Sequence, residues 1–290
     1  MGLGPSAVPK LHAAAKAMAD GRMPVLWLQG QSCSGCSVSL LNTREPGPAS
    51  LLTEYVNLLF HSTLSTASGS LSMEIVDSTI AAGDFILLVE GSIPSKMPRA
   101  CMLNHKPLGE ILLSAARKAK AVVATGTCAT FGGIPAAENN PTGAISVPEF
   151  LKNNGIAKPT ILLPGCPSHP DWMVGTLLYV HKFGIPPLDE SGRPKMFFSR
   201  ILHDKCPRFS DYERENFAER YGDEGCLFKL GCLGPITHAD CTTRGWNSAT
   251  NNCINAGAPC IGCAGPNFAI RADFPFYTKS RPRNTHEVTQ

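Results

Sequence analysis

Cysteine is the residue type in this sequence best suited to chemistry, and its twelve copies are unevenly placed along 290 residues. Five lie in residues 1–190 and seven in residues 191–290. Their density, about 4%, is below that of a short disulfide-stapled chain, and a chain of this length does not need stapling. The thiolate is a strong ligand for soft metals, so the cysteine pattern favours metal ligation.

The first group of cysteines follows the ends of predicted strands. Because the carboxyl ends of parallel strands meet at one edge of a sheet, four thiols that are distant in sequence are expected to converge there. Helix N-terminal amides at that edge favour thiolate over thiol. A zinc site or a redox-active Cys-x-x-Cys pair is the alternative. The group consists of Cys33, Cys36, Cys128 and Cys166.

Two more groups lie in the last hundred residues. Three groups of four ligands use eleven cysteines and one histidine, and they leave over Cys101, which is interpreted as a small buried hydrophobe. One cysteine outside the three groups and two Cys-x-x-Cys pairs fit metal sites better than a disulfide network. Structural zinc and disulfides stay open as alternatives. The second group is His203, Cys206, Cys226 and Cys232, and the third is Cys241, Cys253, Cys260 and Cys263.

The elements that must position the first group alternate between strand and helix. This alternation predicts right-handed crossovers and a parallel sheet covered on both faces. We therefore expect an α/β, flavodoxin-like, doubly wound domain over residues 24–190. Buried strands are predicted at 24–30, 73–76, 85–90, 121–126 and 160–165, and helices at 38–41, 107–120 and 170–183.

Residues 191–278 are predicted to form a largely irregular second domain. One helix is expected at 211–221, and Gly, Pro, Asn and Cys are frequent elsewhere. So long an irregular stretch needs something besides a hydrophobic core to hold it, and the second and third ligand groups provide it. Residues 1–23 and 279–290 are interpreted as tails, the first with a short apolar-periodic piece at 11–19.

Composition excludes two classes of function. The net charge is only +3, with no basic excess of the kind that a nucleic-acid-binding protein needs to displace counterions. The longest apolar runs, such as Phe85–Val89, are far shorter than the about 20 residues that span a bilayer. We therefore expect neither a nucleic-acid partner nor a transmembrane segment.

Seven motifs contain most of these ligands, and together they resemble the small, electron-transferring subunit of nickel–iron hydrogenases. The resemblance extends from about residue 24 to residue 278. The motifs are Gln29-Gly-Gln-Ser-Cys-Ser-Gly-Cys36, Val89-Glu-Gly-Ser-Ile-Pro94, Gly126-Thr-Cys-Ala-Thr-Phe-Gly-Gly133, Pro164-Gly-Cys-Pro167, His203-Asp-Lys-Cys-Pro207, Cys226-Leu-Phe-Lys-Leu-Gly-Cys-Leu-Gly-Pro235, and Cys260-Ile-Gly-Cys with Pro266-Asn-Phe268.

This resemblance implies three iron–sulfur clusters. The first group resembles the ligands of a proximal [4Fe-4S] cluster beside the partner subunit. The second group resembles the ligands of a distal [4Fe-4S] cluster near the surface, where a neutral imidazole in place of a thiolate is expected to raise the potential. Three members of the third group match the ligands of a middle cluster: Cys241, Cys260 and Cys263.

Cys253 departs from the pattern of many family members, which carry proline near this point and hold a three-iron cluster. A fourth thiolate here is expected to complete a [4Fe-4S] cube and to lower its potential by adding negative charge. The nickel–iron–selenium subgroup shows this pattern, so the chain is expected to belong to it or to a neighbouring four-iron branch. We therefore predict three [4Fe-4S] clusters.

Single residues outside the ligand groups carry weaker predictions. Glu90, at the end of a predicted strand, is interpreted either as an interface or proton-path residue or as an ordinary strand-end carboxylate. His169, close to Cys166, is a candidate to contact the metal-binding residues without binding the metal itself. Structural or surface roles are expected for the remaining histidines, which are His12, His61, His105, His181, His238 and His286.

By the same resemblance, hydrogen is split or formed in a large partner subunit that carries the Ni-Fe site, and this chain relays the electrons. The expected acceptor is a multihaem cytochrome or a membrane quinone-linked subunit. A cluster-bearing subunit of a related quinone- or cofactor-reducing complex is the alternative function. The segment Gly4-Pro-Ser-Ala-Val-Pro-Lys and the Ala-rich stretch after it resemble the tail of a leader, so we expect a trimmed chain in the periplasm or on the outer face of the cytoplasmic membrane.

Overall fold

The computed structural model of the chain describes residues 21–137 and 139–269. Five parallel strands form its central sheet: β1 Met23–Gln29, β2 Val56–Phe60, β3 Ile86–Glu90, β4 Ala121–Thr125 and β5 Thr160–Leu163. Their spatial order is β2-β1-β3-β4-β5, with every neighbouring pair parallel. This is the order of flavodoxin-like doubly wound folds, so the predicted fold class is confirmed.

Helices cover both faces of the sheet. Alternate strand residues point to opposite faces, so Leu87 belongs to one hydrophobic core and Leu88 to the other, and both are fully buried. The helices of this part are α1 Gly35–Leu40, α2 Gly69–Ala82, α3 Leu108–Lys118, α4 Gly126–Phe131, α5 Val147–Asn153 and α6 Pro170–Phe183, with a helical turn Pro48–Ser50 that continues into the π-helical turn Leu51–Tyr55.

The strand predicted at 73–76 is wrong, because these residues lie inside α2. Met73, Val76 and Thr79 are buried along one side of that helix, at helical rather than alternating spacing. The strand that completes the sheet is β2, which the sequence analysis missed. As an edge strand it is only partly buried, and Asn57 interrupts its apolar run.

The region after residue 190 is built from short pieces, and three of these are the helices α7 Lys195–Phe198, α8 Phe209–Glu213 and α9 Cys241–Arg244. The helix predicted at 211–221 is therefore wrong in extent. Glu215 has a positive φ, and the Asn216 N–H donates back to the Asp211 carbonyl, which ends the helix. Three single turns of 3₁₀ helix carry or flank predicted ligands: Leu202–Lys205, Leu227–Leu230 and Gly234–Ile236.

Several predictions fall outside the described residues: the apolar-periodic piece at 11–19, most of the first tail, His12, His286 and the tail 279–290. In the part of the chain that is described, no helix is both long and apolar enough to cross a membrane.

Candidate metal centres

The first ligand group lies at the carboxyl edge of the sheet. Cys33 and Cys36 follow β1, Cys128 lies in the first turn of α4, and Cys166 lies three residues beyond β5. The segment that carries Gly126 packs closely against Cys36: a Cβ atom added to Gly126 would lie 2.5 Å from the Cys36 Sγ. Only a glycine at this point leaves the Cys36 thiol in place, and its φ of +81° also favours glycine.

Burial dominates the electrostatics of this group. It raises the pKa of the Cys36 and Cys128 thiols and raises the pKa of Cys166 to about 11. Backbone amides oppose the rise, among them the Ser168 N–H, which donates to the Cys36 Sγ at 3.5 Å. Without a cation these groups are neutral thiols at neutral pH, whereas a bound metal favours the thiolate that ligation requires.

Glu90 is the centre of a buried hydrogen-bond network directly behind Cys36. The carboxylate, only 2% exposed, accepts from the Cys36 backbone N–H at 3.0 Å, the Ser37 hydroxyl at 2.5 Å and the Gln29 amide at 3.1 Å. His61 extends the network, since its Nε2 lies 2.9 Å from the Ser37 Oγ. Glu90 therefore supports the loop that carries Cys36.

The tautomer of His61 follows from its other contacts. The backbone N–H groups of Thr63 and Leu64 donate to its Nδ1 at 3.1 and 3.3 Å, so Nδ1 is the acceptor and Nε2 carries the proton. His61 then donates to Ser37, which donates to Glu90. Burial lowers the pKa of His61, although Glu90 opposes the shift. The sequence analysis assigned His61 a structural or surface role and did not connect it with Glu90.

The second ligand group surrounds a small cavity in the C-terminal region. The cavity is lined by all four predicted ligands, together with Leu202 and Ile254. The Nε2 atom of His203 is buried and has no hydrogen-bond partner among the described residues. A buried imidazole nitrogen without a partner is costly, and a metal ion is a partner that would satisfy it. The cysteines of the group are Cys206, Cys226 and Cys232.

The third group lines a cavity of about 330 Å³, together with Trp246. Burial raises the pKa of the Cys241 and Cys253 thiols, and it raises the pKa of Cys260 to about 12 and that of Cys263 to about 11. Cys253 is the exposed member of the group. Cys166 of the first group also lines this cavity. A cavity lined by desolvated thiols fits a metal centre, which supplies positive charge to them.

Contacts between neighbouring groups connect the three groups. Cys166, in the first group, lines the cavity of the third group. The Cys260 backbone N–H, in the third group, donates to the Cys232 Sγ of the second at 3.3 Å. Thr127 also joins the first and third groups, because its hydroxyl donates to the Cys263 carbonyl and accepts from the Gly165 N–H. The third group therefore lies between the other two.

All twelve cysteines are free thiols in the structure. Cys101 is half-buried, and its Sγ lies 3.8 Å from the Gln29 carbonyl oxygen. Across residues 21–137 and 139–269, no three His, Cys, Asp or Glu side chains meet closely enough to hold a single metal ion.

Two family models match this chain. The model described as "NADH ubiquinone oxidoreductase, 20 Kd subunit" matches residues 33–180, and the model for the C-terminal part of the NiFe/NiFeSe hydrogenase small subunit matches residues 198–277. The first match covers the first ligand group, and the second covers both C-terminal groups.

Similar proteins are hydrogenase small subunits. The periplasmic [NiFeSe] hydrogenase small subunit of Desulfomicrobium baculatum is 42% identical over 285 residues, which cover 90% of this chain and 89% of that protein. The periplasmic [NiFe] hydrogenase small subunit 1 of Nitratidesulfovibrio vulgaris is 39% identical over 287 residues, with 96% and 88% covered. The solved structure of the H2-activated Dm. baculatum [NiFeSe] hydrogenase matches with a TM-score of 0.81 at 42% identity, over 89% of this chain and 99% of that one.

Proposed function

This chain belongs to the family of NiFe and NiFeSe hydrogenase small subunits, and we propose that its twelve predicted ligands hold three [4Fe-4S] clusters. It is the electron-transfer subunit of a heterodimeric hydrogenase, and the catalytic site lies in the large subunit. Small subunits of this family carry iron–sulfur clusters. The number of clusters, their type and the ligand assignment are the proposal.

The buried His203 Nε2 carries this proposal, because it has no hydrogen-bond partner among the described residues and His203 lines one cavity with three cysteines. An imidazole and three thiolates form a complete ligand set for one cluster. The proposed ligands are Cys33, Cys36, Cys128 and Cys166 at the proximal site, Cys241, Cys253, Cys260 and Cys263 at the middle site, and His203, Cys206, Cys226 and Cys232 at the distal site.

The middle site takes four iron atoms in this proposal because Cys253 lines the same cavity as the three family-typical ligands. When bound, an iron–sulfur cluster supplies a one-electron carrier whose potential depends on its ligands, its hydrogen bonds and its solvent exposure.

The protein's own residues space the sites and limit access of water. The order proximal, middle, distal is supported by Cys166, which lines the middle cavity, by the Thr127 hydroxyl, which donates to the Cys263 carbonyl, and by the Cys260 N–H, which donates to the Cys232 Sγ. The Gly262 N–H also donates to the Cys260 Sγ at 3.4 Å, so backbone amides favour the thiolate form at the middle site. Desolvation by the surrounding core keeps the sites in a low-dielectric environment.

The large subunit is proposed to cover the sheet edge where Cys33 is exposed. Electrons leave at the distal site, where the half-exposed aromatic ring of Phe228 lines the same cavity as the ligands. A multihaem cytochrome or a membrane quinone-linked subunit is the proposed acceptor. The location in the periplasm or on the outer face of the cytoplasmic membrane agrees with the two relatives that are named periplasmic.

One alternative rests on the match of residues 33–180 to the 20-kDa subunit of NADH–ubiquinone oxidoreductase. In that function only the first group holds a cluster. The match of residues 198–277 to hydrogenase small subunits favours the first proposal, because the middle and distal sets lie in that range.

The test is a metal and spin count on the purified heterodimer. We expect three sites in this subunit with four iron and four sulfide each, besides the metals of the large subunit. Electron paramagnetic resonance (EPR) of the oxidised enzyme should show no stoichiometric three-iron signal. A three-iron signal of one spin per molecule that survives reconstitution with iron and sulfide would overturn the middle-site assignment. Iron at the first group alone would favour the alternative.

A further inference from the structure

The hydroxyl of Thr127 contacts two of the proposed cluster sites at once. It donates to the Cys263 carbonyl, in the middle group, and it accepts from the Gly165 N–H at 2.9 Å, next to Cys166 of the proximal group. Thr127 itself directly precedes Cys128. The residue is only 1% exposed, so water does not compete for these bonds. One hydroxyl therefore links three ligand-bearing segments of two neighbouring sites.

Thr127 has a fixed position within the first of these sites. Its backbone N–H donates to the Gly165 carbonyl at 2.9 Å, so the two residues exchange a pair of hydrogen bonds. Gly165 is held by its own conformation, because its φ is +140° and a Cβ atom there would lie 2.6 Å from the Pro167 carbonyl oxygen. A β-branched side chain also has few favourable χ1 rotamers. The hydroxyl is therefore a rigid part of the proximal site that reaches the middle site.

The junction between the middle and distal sites is built differently. The Leu233 N–H donates to the Cys260 carbonyl at 2.7 Å, and the Cys260 N–H donates to the Cys232 Sγ at 3.3 Å. Both donors are backbone amides, which no ordinary substitution removes. The junction between the proximal and middle sites instead includes a side-chain donor, so a single substitution can remove it.

Two contacts that do not involve Thr127 hold the same two parts of the chain together. The Trp172 indole N–H donates to the Asp240 carboxylate at 2.8 Å, and the Arg244 guanidinium donates to the Asp171 carboxylate at 3.1 Å. Loss of the Thr127 hydroxyl should therefore leave the two parts assembled and should change the junction locally.

We propose that Thr127 fixes the separation of the proximal and middle sites and thereby sets the rate of electron transfer between them. Thr127 is a positioning residue in this role, since its hydroxyl donates to a carbonyl oxygen and not to a ligand sulfur. The step moves one electron from one site to the other, and no bond forms or breaks. The inference rests on the proposed function, because it requires a cluster at both sites.

The size of the effect follows from contact distances between atoms. An O–H···O hydrogen bond holds its oxygens about 2.5–3.0 Å apart, whereas a carbon atom approaches a carbonyl oxygen only to about 3.3–3.6 Å. A methyl group in place of the hydroxyl should therefore push the Cys263 segment away by about 0.5–1 Å. A misplacement of about 1 Å can cost reacting groups about 100-fold in rate, and electron transfer between separate sites is less sensitive, so we expect a fall of about threefold.

The test is Thr127→Val in the complete heterodimer, which replaces the hydroxyl with a methyl group. Iron and sulfide are counted first, because an unmutated enzyme without both clusters would refute the proposed function itself. With both clusters reduced, each carries an unpaired spin, and the magnetic interaction between them splits the EPR signals. This interaction weakens as the separation grows, so the splitting should be smaller in the variant. An unchanged splitting would overturn the proposal.

Two activities of the same variant separate the relay from the catalytic site. Exchange of H2 with deuterium from heavy water takes place in the large subunit and sends no electron through this chain, whereas H2-driven reduction of benzyl viologen does. The ratio of dye reduction to exchange should fall about threefold in Thr127→Val. An unchanged ratio would overturn the proposed role in electron transfer.

Two further variants control for packing. Thr127→Ser keeps the hydroxyl and should restore both the splitting and the activity ratio. Thr130→Val is the matched control, since Thr130 lies on the same helix α4 and is 2% exposed, but its hydroxyl donates only within that helix, to the Thr127 carbonyl at 3.5 Å. It should leave both measurements unchanged. An equal effect in Thr130→Val, or no recovery in Thr127→Ser, would overturn the proposal.

Thr127→Ala covers the case in which the valine variant does not assemble. The smaller side chain introduces no clash and still leaves the Cys263 carbonyl and the Gly165 N–H without the hydroxyl. The junction is then no longer held at one separation, so the split EPR lines should broaden. Lines as narrow as those of the unmutated enzyme would overturn the proposal.

Discussion

Removing the Ser37 hydroxyl is the sharpest test of the buried network behind the proximal site. Its Oγ is almost inaccessible and makes three hydrogen bonds: to Glu90 at 2.5 Å, from His61 at 2.9 Å and from Gln29 at 3.0 Å. Ser37→Ala removes all three at once. The methyl group that remains can neither accept from the imidazole nor donate to the carboxylate.

The magnitude follows from what each partner loses. His61 Nε2–H is left buried without an acceptor, which costs about 1–3 kcal/mol, and the lost bond to the Glu90 carboxylate costs about 1.5–3 kcal/mol. Gln29 keeps its contacts to Glu90 and to Ser34, so its loss is small. The sum is about 2.5–6 kcal/mol, which corresponds to a fall in Tm on the order of 10 °C for a domain of this size.

The assay is thermal unfolding of the heterodimer containing its clusters, at one fixed scan rate because such an unfolding is not expected to be reversible. Ser39→Ala provides the matched control. Ser39 lies on the same helix and is equally buried, but its hydroxyl makes one hydrogen bond, to the Ser168 carbonyl at 2.6 Å. Its fall in Tm should be less than half as large. Equal falls for both variants, or a fall of under about 3 °C for Ser37→Ala, would refute the reasoning.

Three other perturbations test separate parts of the structure. Cys253→Ala removes the fourth proposed thiolate of the middle site, so the oxidised heterodimer should gain a three-iron EPR signal of about one spin per molecule; an unchanged iron count and spectrum would contradict the assignment. Acidification from about pH 7.5 to about 5.5 should lower Tm, because burial lowers the pKa of His61 and the unfolded chain then binds more protons than the folded one. The loss is at most about 1.4 kcal/mol per pH unit, and His61→Gln should flatten the curve of Tm against pH; an equally steep curve would exclude His61 as its source. Gly126→Ala places a Cβ atom 2.5 Å from the Cys36 Sγ and should abolish the proximal EPR signal, whereas Gly47→Ala, with its nearest neighbour at 3.6 Å, should preserve it.

Four of the five strands of the central sheet could be predicted from the sequence, because strands buried on both faces appear as continuous apolar runs. β1, β3, β4 and β5 are continuous apolar runs, and their predicted positions agree with the structure within two residues at either end. The edge strand β2 could not be found in this way, because one side of it is only partly covered. The helix α6 was predicted correctly since Pro170 begins it and Gly184 follows its end.

The candidate sites were predictable in part only. Spacing in the sequence places Cys33 and Cys36 on one turn, and sheet topology brings Cys128 and Cys166 to the same edge. By contrast, the network of Glu90, Ser37 and His61 joins three segments through side-chain contacts, and no local pattern encodes such contacts. The position of Trp246 at the middle cavity depends on an irregular loop whose sequence shows no periodicity.

The irregular C-terminal region makes metal and structure interdependent. Its hydrophobic cluster contains only five buried residues, and one of these is the proposed ligand Cys260. Burial holds the pKa values of the Cys260 and Cys263 thiols near 12 and 11, so the metal-free form keeps neutral thiols that contribute little besides their small apolar surface. Metal binding releases their protons and joins distant segments through the same sulfurs. The proposed ligands are therefore also the residues that would hold this part of the chain together, which explains how a region with so little regular structure keeps its two sites in place.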